Sequence, residues 1–198
     1  MRILITAFDP FGGEAVNPAQ MAVEQLPEKI GIHEIYKMIV PTVFGVSGDL
    51  VTAEMDRLMP DAVVCVGQAG GRKAVTPERV AINVMDARIA DNVGNQPVDE
   101  PVVEGGPAAY FSTMPVKKMV DNIKDAGLPG QISNTAGTFV CNQLLYRVLH
   151  HAAEHMPQTQ CCFIHVPYIT DQVSSKPDTP SMALEDIVMA LSAAVGGI

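Results

Sequence analysis

Short, nearly continuous apolar runs alternate along this chain with stretches whose apolar positions recur at helical spacing. The runs Ile3–Ala7, Ile35–Val40, Ala62–Val66, Val80–Met85 and Cys161–Val166 predict strands. Several lack polar alternation, which is the pattern of strands covered on both faces. Helical stretches are predicted at about Pro18–Leu26, Ser47–Leu58, Val116–Ala126, Phe139–Met156 and Ser181–Val195. Asn17 precedes Pro18 as an N-cap, and Gln20 three positions on suggests a capping-box-like arrangement. Gly127 marks the end of the third helix. In Phe139–Met156 the residues Leu144, Leu145, Val148, Leu149 and Ala152 define one apolar face.

This alternation predicts an α/β sandwich with a mostly parallel twisted sheet. The 198 residues fit one domain, residues 1–198. Segment 90–106, rich in Asp, Asn, Gly and Pro, predicts a long irregular loop. Ligands of open α/β sheets lie beyond the carboxyl ends of the strands, so the search for chemistry starts there.

Charge narrows the classes. Thirteen Lys+Arg against 22 Asp+Glu leave a net charge of −9. That argues against non-specific nucleic-acid binding and against a polybasic membrane anchor. No apolar run reaches the ~20 residues that span a bilayer, and the first residues do not read as a signal peptide. Cys65, Cys141, Cys161 and Cys162 form no CxxC, so reduced thiols in a cytoplasmic protein are expected. Cys161 and Cys162 face opposite ways on a strand, which argues against a shared metal ion.

Five segments carry candidate chemistry, each with a plainer alternative. Phe8-Asp9-Pro10-Phe11-Gly12-Gly13 follows the first strand; it is either a turn with core aromatics or the wall of a small apolar pocket. Gly67-Gln68-Ala69-Gly70-Gly71-Arg72 is either a tight turn or a close backbone approach to a ligand. Glu78 opens an apolar strand, as a solvated charge paired with Arg79 or as a functional carboxylate. Cys141 falls in the first turn of the best helix, where free N–H groups and the helix dipole favour a thiolate. It also shares the apolar face and reads equally as a buried core cysteine. His165, at the carboxyl end of a strand, is either a bonded core histidine or a general base. His150, His151 and His155 read as a polar helix face, His33 as a surface residue and Cys65 as core.

Together these segments resemble the pyroglutamyl-peptidase I (pyrrolidone-carboxylate peptidase) family of cysteine peptidases. The matching stretches run from Phe8–Gly13 with Asn17-Pro18, through Pro41–Phe44, Val66–Arg72, Thr76–Asn83, Ala87–Ile89 and Gly94–Pro97, to Gly105–Tyr110, Thr135–Asn142 and Phe163–Tyr168. The resemblance implies a three-layer α/β/α fold and removal of N-terminal pyroglutamate from peptides, by a cytoplasmic enzyme that is frequently a homotetramer, with no metal and no cofactor. It implies a triad of Cys141, His165 and Glu78, working through a thioester. It implies substrate contacts at Phe8, Phe11, Asn17, Gln68, Arg88, Ile89, Phe139 and Val140, with Arg88 near the oxyanion. A cysteine amidase acting on other small lactams, or a silent binding protein of the same fold, are the alternatives.

Overall fold

The computed structural model describes residues 1–174 and 176–198. In chain order the elements are β1 (Arg2–Phe8), α1 (Pro18–Gln25), β2 (Lys29–Ile30), β3 (His33–Val40), α2 (Val46–Leu58), β4 (Ala62–Gln68), β5 (Thr76–Pro77) and β6 (Val80–Ile82). They continue with β7 (Ala109–Phe111), α3 (Val116–Asp125), α4 (Val140–His155), β8 (Gln160–Val166), β9 (Tyr168–Ile169), a 3-10 turn (Thr170–Val173), β10 (Ser181–Met182) and α5 (Leu184–Gly196).

Six strands form the central sheet in the order β2-β3-β1-β4-β8-β5. The β3–β1, β1–β4 and β4–β8 pairings are parallel. The short edge strands β2 and β5 pair antiparallel. The expected α/β sheet is therefore present, with mixed edges. Alternation along each strand splits the apolar residues between two faces. Ile3, Ile5, Val64 and Ile164 pack with α1, α3 and α5, while Leu4, Val63, Cys65 and Phe163 pack with α2 and α4. Each face buries its own core, which gives the three layers.

Local chemistry sets the helix ends. The Asn17 side chain accepts a hydrogen bond from Ala19 N at 2.9 Å, and Pro18 occupies the first helical position, where its missing N–H costs nothing. Gln20 makes no capping box; its amide donates to Glu24 along the helix at 2.8 Å. Gly127, at φ +79°, ends α3 by letting the Leu128 N–H reach back to Ile123 O at 3.1 Å.

Four sequence expectations change. The strand Val80–Met85 shortens to Val80–Ile82 and leaves the main sheet to pair with β7. Side chains cause this: Asn142 takes the Ile82 N–H at 3.0 Å, and Asn83 bonds Val103 and Gly106 O, so the chain bends away. The last helix starts at Leu184 because Ser181–Met182 pairs parallel with β9. Gly67 and Gln68 belong to β4, which confines the turn to residues after it. His33 is not a surface residue but is 3 % exposed, at the start of β3 opposite Ile30 and near the N-terminal ammonium.

Loop 90–106 has little regular structure but dense bonding. Asp91 Oδ2 accepts from Phe44 N and Asn95 Nδ2, both at 2.9 Å, and its Oδ1 accepts from Val93 N and Asn95 N. Asn92 Nδ2 donates to Asp9 Oδ1 at 3.1 Å and Pro10 O at 2.9 Å. The loop is thereby pinned over the segment that follows β1. No helix among the described residues is long and apolar enough to cross a membrane.

Candidate active site

Three strands end side by side beneath α4. Phe8, Gly67 and His165 lie at or near the carboxyl ends of β1, β4 and β8, and alternation points all three toward the α4 face. Gly67 stands opposite His165 in the ladder. A Cβ on Gly67 would come within 2.7 Å of the Phe163 ring and 3.2 Å of Cys141 Sγ. The absent side chain is what lets the helix set its cysteine on the strand beside the histidine.

Cys141 is the second residue of α4, after Phe139 in extended conformation at the N-cap. No side chain caps this helix, so the first-turn N–H groups remain available as donors. Cys141 is 9 % exposed and unpaired. Burial pushes its thiol up to about 12, with a further rise from the Glu78 charge, against a downward pull from Arg72. Position at the helix N-terminus favours the thiolate and burial opposes it, with burial the largest effect on this thiol.

His165 is 4 % exposed and Glu78 fully buried. Their side chains meet at 2.7 Å, Nδ1 to Oε1. Thr76 and Pro77 of β5 pair with His165 and Ile164, and Glu78 N donates to Phe163 O at 2.8 Å, so β5 delivers the carboxylate to the imidazole. Burial lowers the His165 pKa more than the hydrogen bond and charge of Glu78 raise it. Burial alone would raise Glu78, but the hydrogen bond and charge of His165, with Arg72 behind, hold it below its ordinary value. Both directions favour a neutral imidazole beside a carboxylate, an arrangement able to accept a proton.

Glu78 does not pair with Arg79. Its partner is Arg72, whose Nη1 reaches the same Oε1 at 2.7 Å. Sequence reading placed Arg72 only as the end of a glycine-rich turn, and nothing in one dimension joins it to Glu78.

An aromatic group stands over the helix start. Phe11 lies 6.1 Å from Phe139 between ring centroids, and Phe44 meets Phe139 edge-on at 5.2 Å. Phe44, not singled out from sequence, completes this group. Phe8 lies deeper, 2 % exposed, with its ring 6.3 Å from Phe163. Gln68 is buried and its Oε1 accepts from Gln172 Nε2 at 3.0 Å. Asn17 is buried, divided between its helix cap and a 3.0 Å bond to Asp9 O. Val140 is buried, whereas Arg88 and Ile89 are exposed. Cys161 and Cys162 project to opposite faces of the sheet.

A family model of pyroglutamyl peptidase matches residues 1–198. The chain belongs to the pyroglutamyl peptidase family. Within that family it is 56 % identical over 198 residues to the pyrrolidone-carboxylate peptidase of Staphylococcus carnosus, covering all of this chain and 93 % of that one. It is 53 % identical to the pyrrolidone-carboxylate peptidase of Streptococcus pyogenes serotype M18, covering all of this chain and 92 % of that one. Its fold is similar to the crystal structure of pyroglutamyl peptidase I from Bacillus amyloliquefaciens, with TM-score 0.96, 47 % identity and coverage of 99 % and 95 % of the two chains. It is also similar to a mutant pyrrolidone carboxyl peptidase from the hyperthermophile Pyrococcus furiosus, with TM-score 0.92, 40 % identity and coverage of 98 % and 96 %. The family is one of cysteine peptidases, and Cys141 is the cysteine of this chain packed at Gly67, the ladder partner of His165.

Proposed function

We propose that this chain removes N-terminal pyroglutamate from peptides, with Cys141 as nucleophile, His165 as general base and acid, and Glu78 as orienting carboxylate. The observation that most supports the roles is the 2.7 Å contact of His165 Nδ1 with a buried carboxylate, on the strand that faces Cys141.

The starting state is a neutral thiol beside a neutral imidazole. His165 takes the Cys141 proton as sulfur attacks the carbonyl that joins pyroglutamate to the next residue. Glu78 keeps the proton of Nδ1 in place and stabilises the imidazolium that forms. N–H groups at the start of α4 receive the oxyanion, with Arg88 as a further candidate. His165 then protonates the leaving amine, and the C–N bond breaks to leave a thioester. Water, deprotonated by His165, hydrolyses the thioester, releases pyroglutamate and restores the thiol.

Pyroglutamate is a flat, uncharged lactam with no α-ammonium. Phe11, Phe139 and Ile89 suit the apolar walls, over a floor that includes Phe8, Val140 and the Asn17 region. With Oε1 of Gln68 engaged by Gln172, its amide N–H groups remain available as donors to a lactam oxygen. A site built to pair the lactam would discriminate against proline by leaving those polar groups unsatisfied. Four free thiols support a reducing, cytoplasmic setting, and a homotetramer belongs to the same reading.

The test is cleavage of pyroglutamyl, prolyl and glycyl amides of one fluorogenic amine by the wild type, Cys141→Ser and Cys141→Ala. Selective pyroglutamyl cleavage, lost in both variants, is the expected result. Equal kcat/KM for pyroglutamyl and prolyl amides overturns the specificity, and cleavage that survives both substitutions overturns the nucleophile.

A further inference from the structure

The buried carboxylate has a second partner that the mechanism above does not use. Oε1 of Glu78 accepts from His165 Nδ1 and from Arg72 Nη1, each at 2.7 Å. Its Oε2 has no hydrogen-bond partner among the described residues. One oxygen thus carries both contacts, so the guanidinium and the imidazole are coupled through a single atom.

Arg72 is placed by backbone design. Gly71, at φ +88°, reverses the chain after β4, and Arg72 N returns to Ala69 O at 3.3 Å. Gly70 gives up its side chain to Tyr168, whose ring lies within 2.5 Å of where a Cβ would be. The guanidinium also bonds Thr76 Oγ1, in the strand residue opposite His165, and donates from Nη2 to Thr135 O at 3.3 Å. Thr135 lies on the approach to α4. Arg72 therefore ties together the turn after β4, the carboxylate segment and the chain that leads to Cys141.

Electrostatics gives this clamp a consequence. A fully buried carboxylate with a neutral histidine as sole partner tends to take up a proton, because burial disfavours the anion. A permanent cation at 2.7 Å adds to the pull of His165 and the Ser133 hydroxyl against that tendency. The same cation disfavours a second positive charge on the nearby imidazole. The ionisable groups that face the pair are Arg72 from the turn after β4 and Cys141 from α4, with Cys65 of β4 behind the cysteine. Arg72 is the only cation among them.

We propose that Arg72 is a positioning residue of the reaction, clamping the Glu78 carboxylate against Nδ1 of His165 and fixing the charge distribution of that buried pair. The inference rests on the Cys141–His165–Glu78 reading. Arg72 acts through Glu78, so it governs the chemical step and the pH at which the base is ready. Arg72→Gln removes the cation and keeps a polar side chain. Arg72→Lys keeps the charge and loses the fork.

The experiment is kcat and KM against pH for a pyroglutamyl fluorogenic amide, with wild type, Arg72→Gln and Arg72→Lys. Thermal unfolding selects the pH range in which each is folded. The acid limb of Cys141 alkylation by iodoacetamide, followed without substrate, provides a second readout. Expected for Arg72→Gln is a fall of roughly 10- to 100-fold in kcat with KM little changed, and acid limbs of both profiles moved to higher pH. Arg72→Lys should recover the wild-type limb positions and part of kcat. Unmoved limbs in a folded Arg72→Gln overturn the proposal, as does a loss confined to KM. If that variant does not fold, Arg72→Lys decides, since unchanged kcat with the fork removed overturns the clamp. A wild type that leaves the amide intact overturns the functional reading instead, which separates the two failures.

Discussion

Gly67 faces His165 across the β4–β8 ladder, and the space where its side chain would stand is occupied by Phe163 and Cys141 Sγ. Cys141 can sit against β4 at this point only because one strand residue has no Cβ. Gly67→Ala would put a carbon 2.7 Å from the Phe163 ring and 3.2 Å from Sγ. Overpacking of this kind costs about 1–3 kcal/mol. The expected outcome is a lower Tm with a larger loss of kcat/KM than the stability loss accounts for. Wild-type kinetics in a folded Gly67→Ala protein would mean that the approach of Cys141 to β8 is not critical.

Thiol reactivity should divide the cysteines. Cys65, Cys161 and Cys162 have no exposed surface, whereas Cys141 is 9 % exposed. Burial raises the first three thiols as well, Cys65 to about 12. Native protein treated with iodoacetamide should be modified at Cys141 alone, and unfolded protein at all four cysteines. Peptide mapping by mass spectrometry checks this, and modification of Cys65 before Cys141 in the native state would contradict it.

Stability should fall on the acid side of neutrality. His33 is buried with no partner for Nδ1, and burial, then the N-terminal ammonium, lowers its pKa from 6.5. Burial lowers that of His165 too. A lowered folded-state pKa means that the unfolded chain binds more protons in this range. The stabilisation is complete above pH 6.5, the unfolded value, and is lost as pH falls through the folded values. Tm should therefore drop between pH 7 and pH 5, and His33→Gln should make that drop shallower. An equal drop in the variant would assign the acid sensitivity elsewhere.

Asp91 should hold segment 90–106 in place. Asp91→Ala removes the acceptors of the Phe44, Val93 and Asn95 N–H groups and of the Asn95 amide. Four bonds to a buried carboxylate are together worth about 2–4 kcal/mol net. Tm should fall accordingly, limited proteolysis should cut between 91 and 106, and KM should rise because Phe44 loses an anchor. Unchanged protease resistance would show that Asn92 and Asn83 suffice.

The layers and the parallel strands were legible because buried strands are written as uninterrupted apolar runs. Ile3–Ala7, Ala62–Val66 and Cys161–Val166 lie within β1, β4 and β8. Val80–Met85 misled because Asn142, from α4, takes the Ile82 N–H and the Ile82 and Val84 carbonyls, while the Asn83 side chain within the run is drawn to Val103 and Gly106. Cys141 and His165 stood out by residue type at a helix start and a strand end. Their relation did not, since it depends on register and on the space left by Gly67. Arg72 and Phe44 were unreadable for the same reason: a guanidinium or a ring acquires its meaning from neighbours that the chain brings in later. His33 was misplaced because a polar residue type near a turn says nothing of how the fold buries it.

The position of β8 has a consequence for how the protein is made. Gln160–Val166 lies between β4 and β5 in the sheet, although it follows both in the chain. During synthesis β4 is left with an open edge until residue 166 has left the ribosome, and Glu78 has no histidine to meet. The earlier strands and helices can collect around β1, but the sheet cannot close by adding strands in order of synthesis. Closure is a late, long-range event, the kind that slows folding and leaves a sticky strand edge exposed to chaperones in the interval. The same insertion means that a partly made chain already carries Cys141, while the His165–Glu78 contact forms only once the last strand of the parallel core is in place.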